Sequence, residues 1–585
     1  MGLSTNDNDG QGSPAGKFDE LPASTADPTE KASDTNEDID DESDYLTGAK
    51  LAMVLIAIYF VTFIVALDRT IIATAVPTIT TEFHSLDDIS WYASAYLIAS
   101  SATQLLWGRI YSFYSTKTIF LVAIVVFEVG SALCGAAPTS TAFIIGRAIA
   151  GLGSAGIFSG TTVILTQILP LHKRPIYIGL MGSMFGIASI VGPLLGGAFT
   201  DHVTWRWCFY INLPIGALVF ALLLPLLHIR TRPSTLTARQ KLARLDPLGT
   251  VLFLPAVISL LLALQWGGTT RPWNSAAIIA LLVLAPVLLA AFAAVQWRLG
   301  DELATTPPRI VSQRSVACGA AFSFCTSGAL VSMLYCLPIW FQAVKGTTAV
   351  QSGIDTIPMV LALVVGAIVS GGVTTRTGHY VPFMFVTVVF MAVGTGLTTT
   401  LALGSGSGEW IGWQVLFGLG LGAGMQVPAL AAQNVLAKAD VAVGISLMLV
   451  TNSLGGAVFV CIGQTLFVNA LADGLAGLQG VDVQAVLQAG ATGLAAMVQP
   501  EKLVEVLTIY NSSLRRAFIV ALVVSCLMVL PALGMEWRSI KKEEEVILAL
   551  YPQLFIDHPG ADGTSSFTSA YPMTDKAPSS FRLPT

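Results

Sequence analysis

The chain has 585 residues, of which 54% are hydrophobic and 11% charged, with a net charge of −6. Soluble proteins carry about 25% charged residues, so there is too little charge here to coat soluble domains, and the apolar excess must face lipid. The charge is also uneven: residues 1–46 hold thirteen acidic residues against two lysines, whereas the remainder is net basic.

Residues 1–47 read as a disordered acidic cytoplasmic tail, because a segment rich in Ser, Thr, Gly and Pro buries too little surface to offset its ordering entropy. The basic start and short apolar core of a signal peptide are absent, so the first hydrophobic helix is expected to direct insertion. A helix needs about 20 apolar residues to cross a hydrocarbon core of about 30 Å. Apolar runs between charged or Pro/Gly-rich breaks predict fourteen spans: 50–70, 91–111, 118–136, 142–166, 175–199, 206–227, 247–266, 276–297, 316–341, 353–373, 382–402, 409–431, 444–468 and 515–536. The fold class is therefore an all-α polytopic membrane protein.

Segment 228–246, between the sixth and seventh spans, reads as a basic interfacial connector, and about 469–514 as the longest external loop. Lys and Arg in the loops orient the chain, since cytoplasmic loops retain positive charge. With both ends inside, eighteen of these residues fall on the inner side and six on the outer. Both termini are expected in the cytosol. The outer loop carries the sequon Asn511-Ser512-Ser513, a candidate glycosylation site that lies close to the last span, where modification is often sterically prevented.

Four ionisable residues, Asp68, Arg69, Glu128 and Arg147, lie within or at the edges of apolar spans. Each costs a few kcal/mol at mid-bilayer on insertion scales, so such residues usually face a cavity or a partner and mark transport pathways. Asp68 follows one long apolar run and precedes another, which favours a cavity-facing role. Arg69 is read instead as a residue near a helix end that reaches water. Arg147 opens the fourth span, where snorkelling to the cytosolic face and a buried role are equally open. Glu128, in the middle of Val125-Val126-Phe127-Glu128-Val129-Gly130, needs either a partner or a proton. Asp68, Arg147 and Glu128 are the candidate proton-coupling residues: a carboxylate whose charge is costly in one conformation links proton movement to conformational change.

Gly151-x-Gly153-x-x-Gly156 matches a dinucleotide fingerprint by letter, but it lies inside an apolar helix without the strand that such a site needs, so it reads as helix packing. In the fifth span Gly179, Gly182, Gly186, Gly192, Gly196 and Gly197 surround Pro193. Small residues at spacings of three and four let helices approach closely, and the proline adds a bend that neighbours must accommodate. Seven scattered cysteines without a CxxC pair, and six histidines dispersed over loops and tail, offer no disulfide framework, metal site or catalytic constellation. Neither an enzyme nor a cofactor is expected.

Four stretches carry a resemblance. They are Leu67-Asp68-Arg69-Thr70-Ile71-Ile72-Ala73-Thr74-Ala75-Val76-Pro77, Gly146-Arg147-Ala148-Ile149-Ala150-Gly151-Leu152-Gly153-Ser154-Ala155-Gly156, Gly186 through Gly197, and Trp205-Arg206-Trp207-Cys208-Phe209-Tyr210-Ile211-Asn212-Leu213-Pro214. Together they resemble the major facilitator superfamily, and within it the fungal 14-spanner drug:proton antiporters, over about residues 48–540. The resemblance implies two six-helix bundles, 48–227 and 316–536, with a basic linker and two additional helices in 228–315 and a cytoplasmic tail at 537–585. It also implies that the fourth-helix Arg147 takes part in proton coupling and that Gly186, Gly192, Pro193, Gly196 and Gly197 form an antiporter conformational motif. After helix two the chain departs from the family's Gly-x-Leu-x-Asp-x-x-Gly: in Gly108-Arg109-Ile110-Tyr111-Ser112-Phe113-Tyr114-Ser115-Thr116-Lys117, Ser112 replaces the acid and Ser115 the second glycine.

The expected function is proton-driven export, without a cofactor, of small amphipathic organic molecules such as a fungal secondary metabolite, toxin or xenobiotic. Few buried charges favour a neutral or weakly charged substrate. The expected setting is the plasma membrane, or alternatively the vacuolar membrane, with a monomer in the lipid bilayer and no nucleic-acid partner. Uptake or vacuolar transport of iron chelates or amino acids, and a non-transporting membrane sensor, are the alternatives. Trp91, Tyr92, Gln104, Trp413, Gln414, Gln426 and Gln433 are candidates for an aromatic and polar substrate cavity; interfacial anchoring or helix–helix hydrogen bonding is the competing reading of each.

Overall fold

A computed structural model describes residues 46–85, 88–228, 244–268, 271–478 and 498–541, with Gln240, Val483 and Val486 between them. Nearly all of the expected acidic tail, most of the connector 228–246, the middle of the loop 469–514 and the tail from residue 542 lie outside the described residues. The described residues form fourteen long helical segments: α1 (Gly48–Phe83), α2 (Ile89–Phe113), α3 (Thr116–Ala136), α4 (Ser140–Ile168), α5 (Arg174–His202), α6 (Trp207–Leu226), α7 (Pro247–Trp266), α8 (Ala276–Leu303), α9 (Arg314–Ala343), α10 (Ile357–Thr377), α11 (Val381–Thr398), α12 (Ser407–Val435), α13 (Val441–Ala476) and α14 (Pro500–Gly534).

Thirteen of these helices are long and apolar enough to cross a membrane. The fourteenth, α2, has 25 residues and so spans about 37 Å, but it carries Ser94, Ser100, Ser101, Thr103 and Gln104. All five are buried, so the polar side of α2 faces protein and lipid sees little of it. Sequence signals set the helix starts. Thr139, Ser275 and Gln313 each accept a hydrogen bond from the backbone N–H three residues on, satisfying a donor that the first turn leaves free. Pro500 opens α14 at a position where its missing N–H is no loss.

Three boundaries differ most from expectation, and in the first α1 runs on to Phe83, past the expected end at residue 70. Helix α13 continues to Ala476 and α14 begins at Pro500, so the long outer loop shrinks at both ends and Asn511 lies inside a helix. Both extensions are amphipathic enough to pack: Leu471, Leu475, Val506 and Tyr510 are buried in one core. An apolar-run count misses such turns because they project beyond the hydrocarbon layer.

Burial sorts the helices into layers. In α4, 83% of the most hydrophobic window is buried, against 17% in α8, so α4 is central and α8 peripheral. Helices α9–α14 build one apolar cluster around Phe322, Trp340, Met384, Phe417 and Phe518. Helices α1–α6 build two others, around Phe120, Phe127 and Ile164 and around Phe143, Trp205 and Phe209. The added helices α7 and α8 lie across a seam between these halves, where Phe253, Val257 and Phe292 pack on Ile98 and Leu105 of α2 and on Val450 of α13.

The halves meet closely at the end that bears most of the basic loops, here termed the basic end. Val441, Ala442 and Ile445, at the start of α13, join the α1–α6 core, and the hydroxyls of Ser159 and Ser446 lie 3.0 Å apart across the seam. On the other side, a Cβ on Gly179 of α5 would lie 2.7 Å from the Ala367 carbonyl oxygen of α10, so only glycine permits this approach. The cavity left between α5, α10 and α12 measures about 20 Å³, room for about one water. The basic end is closed.

A buried polar knot ties the α7–α8 pair together at this end. Asp246, before α7, adopts a left-handed backbone and accepts hydrogen bonds from Gly249 N at 2.7 Å, Gln296 Nε2 at 2.6 Å and Thr305 Oγ1 at 3.0 Å. Gln296 Oε1 accepts from Thr306 N at 2.9 Å. Replacing Asp246 with Ala leaves these donors buried and unpaired, a loss on the order of 3 kcal/mol. The melting temperature of purified Asp246→Ala in detergent is expected to fall by several degrees; an unchanged melting curve would contradict the knot's structural role.

Candidate transport site

The site begins at one carboxylate. Asp68 lies in the middle of α1 with its side chain fully buried, and Arg147 of α4 is 1% exposed. Arg147 Nη1 and Asp68 Oδ2 are 2.6 Å apart. Two charges removed from water are tolerable only when paired and further hydrogen-bonded, and the surroundings meet that condition. Asn212 of α6 donates to Asp68 Oδ1 at 3.3 Å and to Ser131 Oγ of α3 at 3.1 Å. Arg147 Nε donates to the Tyr92 carbonyl of α2 at 2.9 Å. The guanidinium carbon stands 4.5 Å from the Tyr96 ring centroid and 5.8 Å from that of Phe209, within cation–π range. Five helices thus converge on one ion pair, and Arg147 takes the buried role rather than reaching water.

An aromatic cluster closes the site on the side away from the basic end. Phe143, Trp205 and Phe209 meet in edge-on contacts at 5.2–6.1 Å, with Phe83 and Tyr92 on their flanks. Trp205 Nε1 donates to Glu82, which pairs with Arg206 at 3.1 Å. The Trp205–Pro214 stretch therefore joins the end of α1 to α6 and delivers Asn212 to Asp68.

Glu128 of α3 packs against Gly216 of α6. Both of its carboxyl oxygens are buried without a hydrogen-bond partner among the described residues.

In α5 the glycines face neighbours on both sides. Gly192 and Gly196 lie against Thr70 and Thr74 of α1, and Gly186 lies against Val360 of α10, whereas Gly197 faces open space. Thr70 Oγ1 donates to the Ala188 carbonyl at 2.9 Å, one turn before Pro193, where the proline interrupts the ladder of N–H donors.

Arg69 departs from its expected place. It is the residue after Asp68 and lies well inside α1, half-buried, not at a helix end. Its guanidinium rests 5.4 Å from the Tyr96 ring centroid and 5.2 Å from that of Phe158. Along a long helix, position alone does not tell which face a side chain takes.

The seven cavity candidates do not gather around one space. Trp91 packs edge-on against Trp266 of α7 at 5.7 Å. The Tyr92 hydroxyl bonds Ser85 and Ser140, and Gln104 Nε2 donates to the Ala155 carbonyl. Trp413 packs on the α9–α14 core, and Gln414 Nε2 donates to the Asp355 carbonyl at 2.9 Å. Gln426 lines the 20 Å³ cavity, and Gln433 is buried with both amide atoms unpartnered among the described residues. Asn511 is likewise committed to packing: its Oδ1 accepts from Trp340 Nε1 at 2.8 Å and its Nδ2 donates to the Leu401 carbonyl at 2.9 Å. The nitrogen that glycosylation would modify is already in use.

The altered stretch Gly108–Lys117 begins inside α2, whose last turns carry Arg109 and Ser112. Arg109 is 5% exposed. It donates through Nε to the Arg244 carbonyl at 3.1 Å and through Nη2 to the Glu302 carbonyl at 2.7 Å. Ser112 only bonds back to Gly108 within the helix. The end of α2 thus holds the backbone on either side of the α7–α8 pair.

The model of the Major Facilitator Superfamily matches residues 58–460. The chain belongs to the major facilitator superfamily. It is therefore a multi-pass membrane transporter protein, similar to several fungal superfamily members over most of its length. A rubrofusarin-specific efflux pump of Gibberella zeae is 53% identical over 507 residues, covering 86% of this chain and 93% of the relative. An MFS-type efflux pump of Trichophyton rubrum is 51% identical over 500 residues, covering 85% and 93%. An efflux pump of Aspergillus parasiticus is 49% identical over 504 residues, covering 86% and 98%. Among solved structures, the proton:xylose symporter XylE bound to 6-bromo-6-deoxy-D-glucose aligns with a TM-score of 0.52 at 13% identity, over 84% of this chain and 98% of XylE. That likeness is one of fold.

Sequence reading missed Asn212, Ser131 and Tyr96 as members of the site. Asn212 had a signal, as the one amide in an otherwise apolar span; Ser131 and Tyr96 had none. The α1–α5 contact is directly testable. A Cβ on Gly192 would fall 2.2 Å from Thr70 Oγ1, so Gly192→Ala should lower both the melting temperature and transport. Adding Thr70→Ala should restore part of each, and no recovery would argue against this contact as the cause.

Proposed function

We propose that this major facilitator protein exports a small amphipathic organic molecule, of the secondary-metabolite kind, in exchange for protons. The observation that carries the reading is the buried Asp68–Arg147 pair at 2.6 Å, held at the junction of five helices. Protonating Asp68 removes the negative partner and leaves the Arg147 charge to the Tyr92 carbonyl and the Tyr96 and Phe209 rings. The arrangement of α1 against α4 that suits the ion pair then no longer suits the neutral acid. Deprotonation restores it. Glu128, unpartnered beside Gly216, serves as the second proton-bearing group, since a buried carboxyl without a donor is least costly when neutral.

The two halves rock about α1–α5, where Gly192, Pro193 and Gly196 let the helices slide closely. The bias of eighteen against six basic loop residues supports cytosolic termini; on this reading the closed basic end faces inward, and the aromatic cluster covers the site on the outer side. Three relatives at 49–53% identity are named efflux pumps, one of them specific for rubrofusarin, which supports export; the plasma membrane is the setting this reading assigns. The proton gradient is the only energy source the reading requires, and the working unit is a monomeric carrier, not an enzyme.

Rubrofusarin is a natural first probe. In proteoliposomes with an imposed pH gradient, the wild type should transport it in a way that a protonophore abolishes. Losing one partner of a buried ion pair leaves the other uncompensated, at a cost of several kcal/mol. Asp68→Asn should therefore reduce gradient-driven flux at least about tenfold, and Arg147→Ala should retain binding while losing proton movement. Undiminished proton-driven flux in Asp68→Asn would remove Asp68 from the mechanism.

A further inference from the structure

Arg69 has no role in the mechanism above, and its surroundings are unlike those of its neighbour Arg147. No carboxylate among the described residues lies within ion-pair distance of it. Its one hydrogen bond is long, from Nη2 to Ser100 Oγ at 3.4 Å, and its Nε is buried without a partner. Asp68 and Arg147 neutralise each other, so Arg69 is the uncompensated charge beside the ion pair.

The face of α1 that bears Arg69 changes character along the helix. Leu55, Thr62 and Ala66 fall on it at the basic end and are buried. Continuing along the same stripe, at intervals of three or four residues, come Arg69, Ala73 and Pro77. Arg69 is half-buried, and Ala73 and Pro77 are exposed. The face thus runs from packed to exposed, and Arg69 stands at the change.

Aromatic rings complete the surroundings. Tyr96 and Phe158 flank the guanidinium, and Phe158 stacks on Phe185 of α5 at 5.0 Å with an interplanar angle of 21°. A cation bordered by ring faces suits a flat ligand whose ring system joins the stack while an acidic oxygen meets the guanidinium. Such charge-assisted contacts are about twice as strong as neutral ones.

We propose that Arg69, with Tyr96, Phe158 and Phe185, forms a subsite for the carboxylate or phenolate of an aromatic organic acid. This rests on the transport reading and sharpens it: the substrate class becomes aromatic acids in their anionic form, in place of the neutral or weakly charged molecule that the sequence suggested.

The test is equilibrium binding, which needs no proton-driven flux. Radiolabelled naphthalene-2-carboxylate and its neutral carboxamide serve as probes on the purified full-length chain at pH 7.5. The wild type should bind the carboxylate about tenfold tighter than the amide. Arg69→Gln should bind the two equally, and Arg69→Lys, which keeps the charge, should retain most of the preference. Equal binding of both probes by the wild type, or an unchanged preference in Arg69→Gln, overturns the proposal. Loss of amide as well as carboxylate binding in Arg69→Gln, with Arg69→Lys also inactive, likewise counts against it, because the role would then be structural. Failure of the transport reading would show separately, as absence of gradient-driven flux with the charge preference intact.

Discussion

The α1–α6 half is organised around the removal of two opposite charges from both water and lipid. A buried Asp68 is affordable only because Arg147 reaches it from α4, and Arg147 is tolerable only because the Tyr92 carbonyl and two aromatic faces complete its environment. Asn212 then links the pair to α6 and, through Ser131, to α3. An ordinary apolar core would tolerate small slippage between helices. A buried ion pair with directional hydrogen bonds does not, and it fixes how these helices sit against one another.

A second set of contacts holds the basic end shut. Ser159 meets Ser446, Gly179 admits the α10 backbone, and Arg109 grips the carbonyls of Arg244 and Glu302. The α7–α8 pair is therefore more than extra membrane-spanning mass. It packs across the seam between α2 and α13, with its own ends bound by the Asp246–Gln296 knot. Here the closed state rests on backbone carbonyls and small-residue packing, with an ion pair between Arg309 and Asp440 at 2.9 Å where the α8–α9 connection meets the start of α13.

Much of this was legible in the sequence, for reasons particular to membranes. Lipid forces every backbone group into helical bonds, so apolar runs between charges locate helices closely: 247–266 was predicted and α7 is Pro247–Trp266. That Asp68 needs a partner or a cavity was also legible, because a carboxylate between two apolar runs demands an explanation; which partner it takes was not. Direction around a helix was not. Arg69 looked like a residue near a helix end, and the seven aromatic and amide residues looked like one cavity, because a residue list does not say which face turns inward. Partners far apart in sequence were equally hidden: nothing near Asp246 announces Gln296, fifty residues later, and nothing in the Asn511 sequon shows that Trp340 and Leu401 hold its amide.

The central claim is that the charge state of the Asp68–Arg147 pair governs whether the basic end is open. Its most direct test is a distance measured across that end by double electron–electron resonance. Spin labels at Thr118 and Ala437, both exposed, would be placed in a chain whose exposed Cys526 has been replaced. The account predicts a single short distance at high pH, a second and longer one appearing as pH falls, and the long distance present at all pH values in Asp68→Asn. Identical distance distributions in the wild type and Asp68→Asn across the pH range would contradict it.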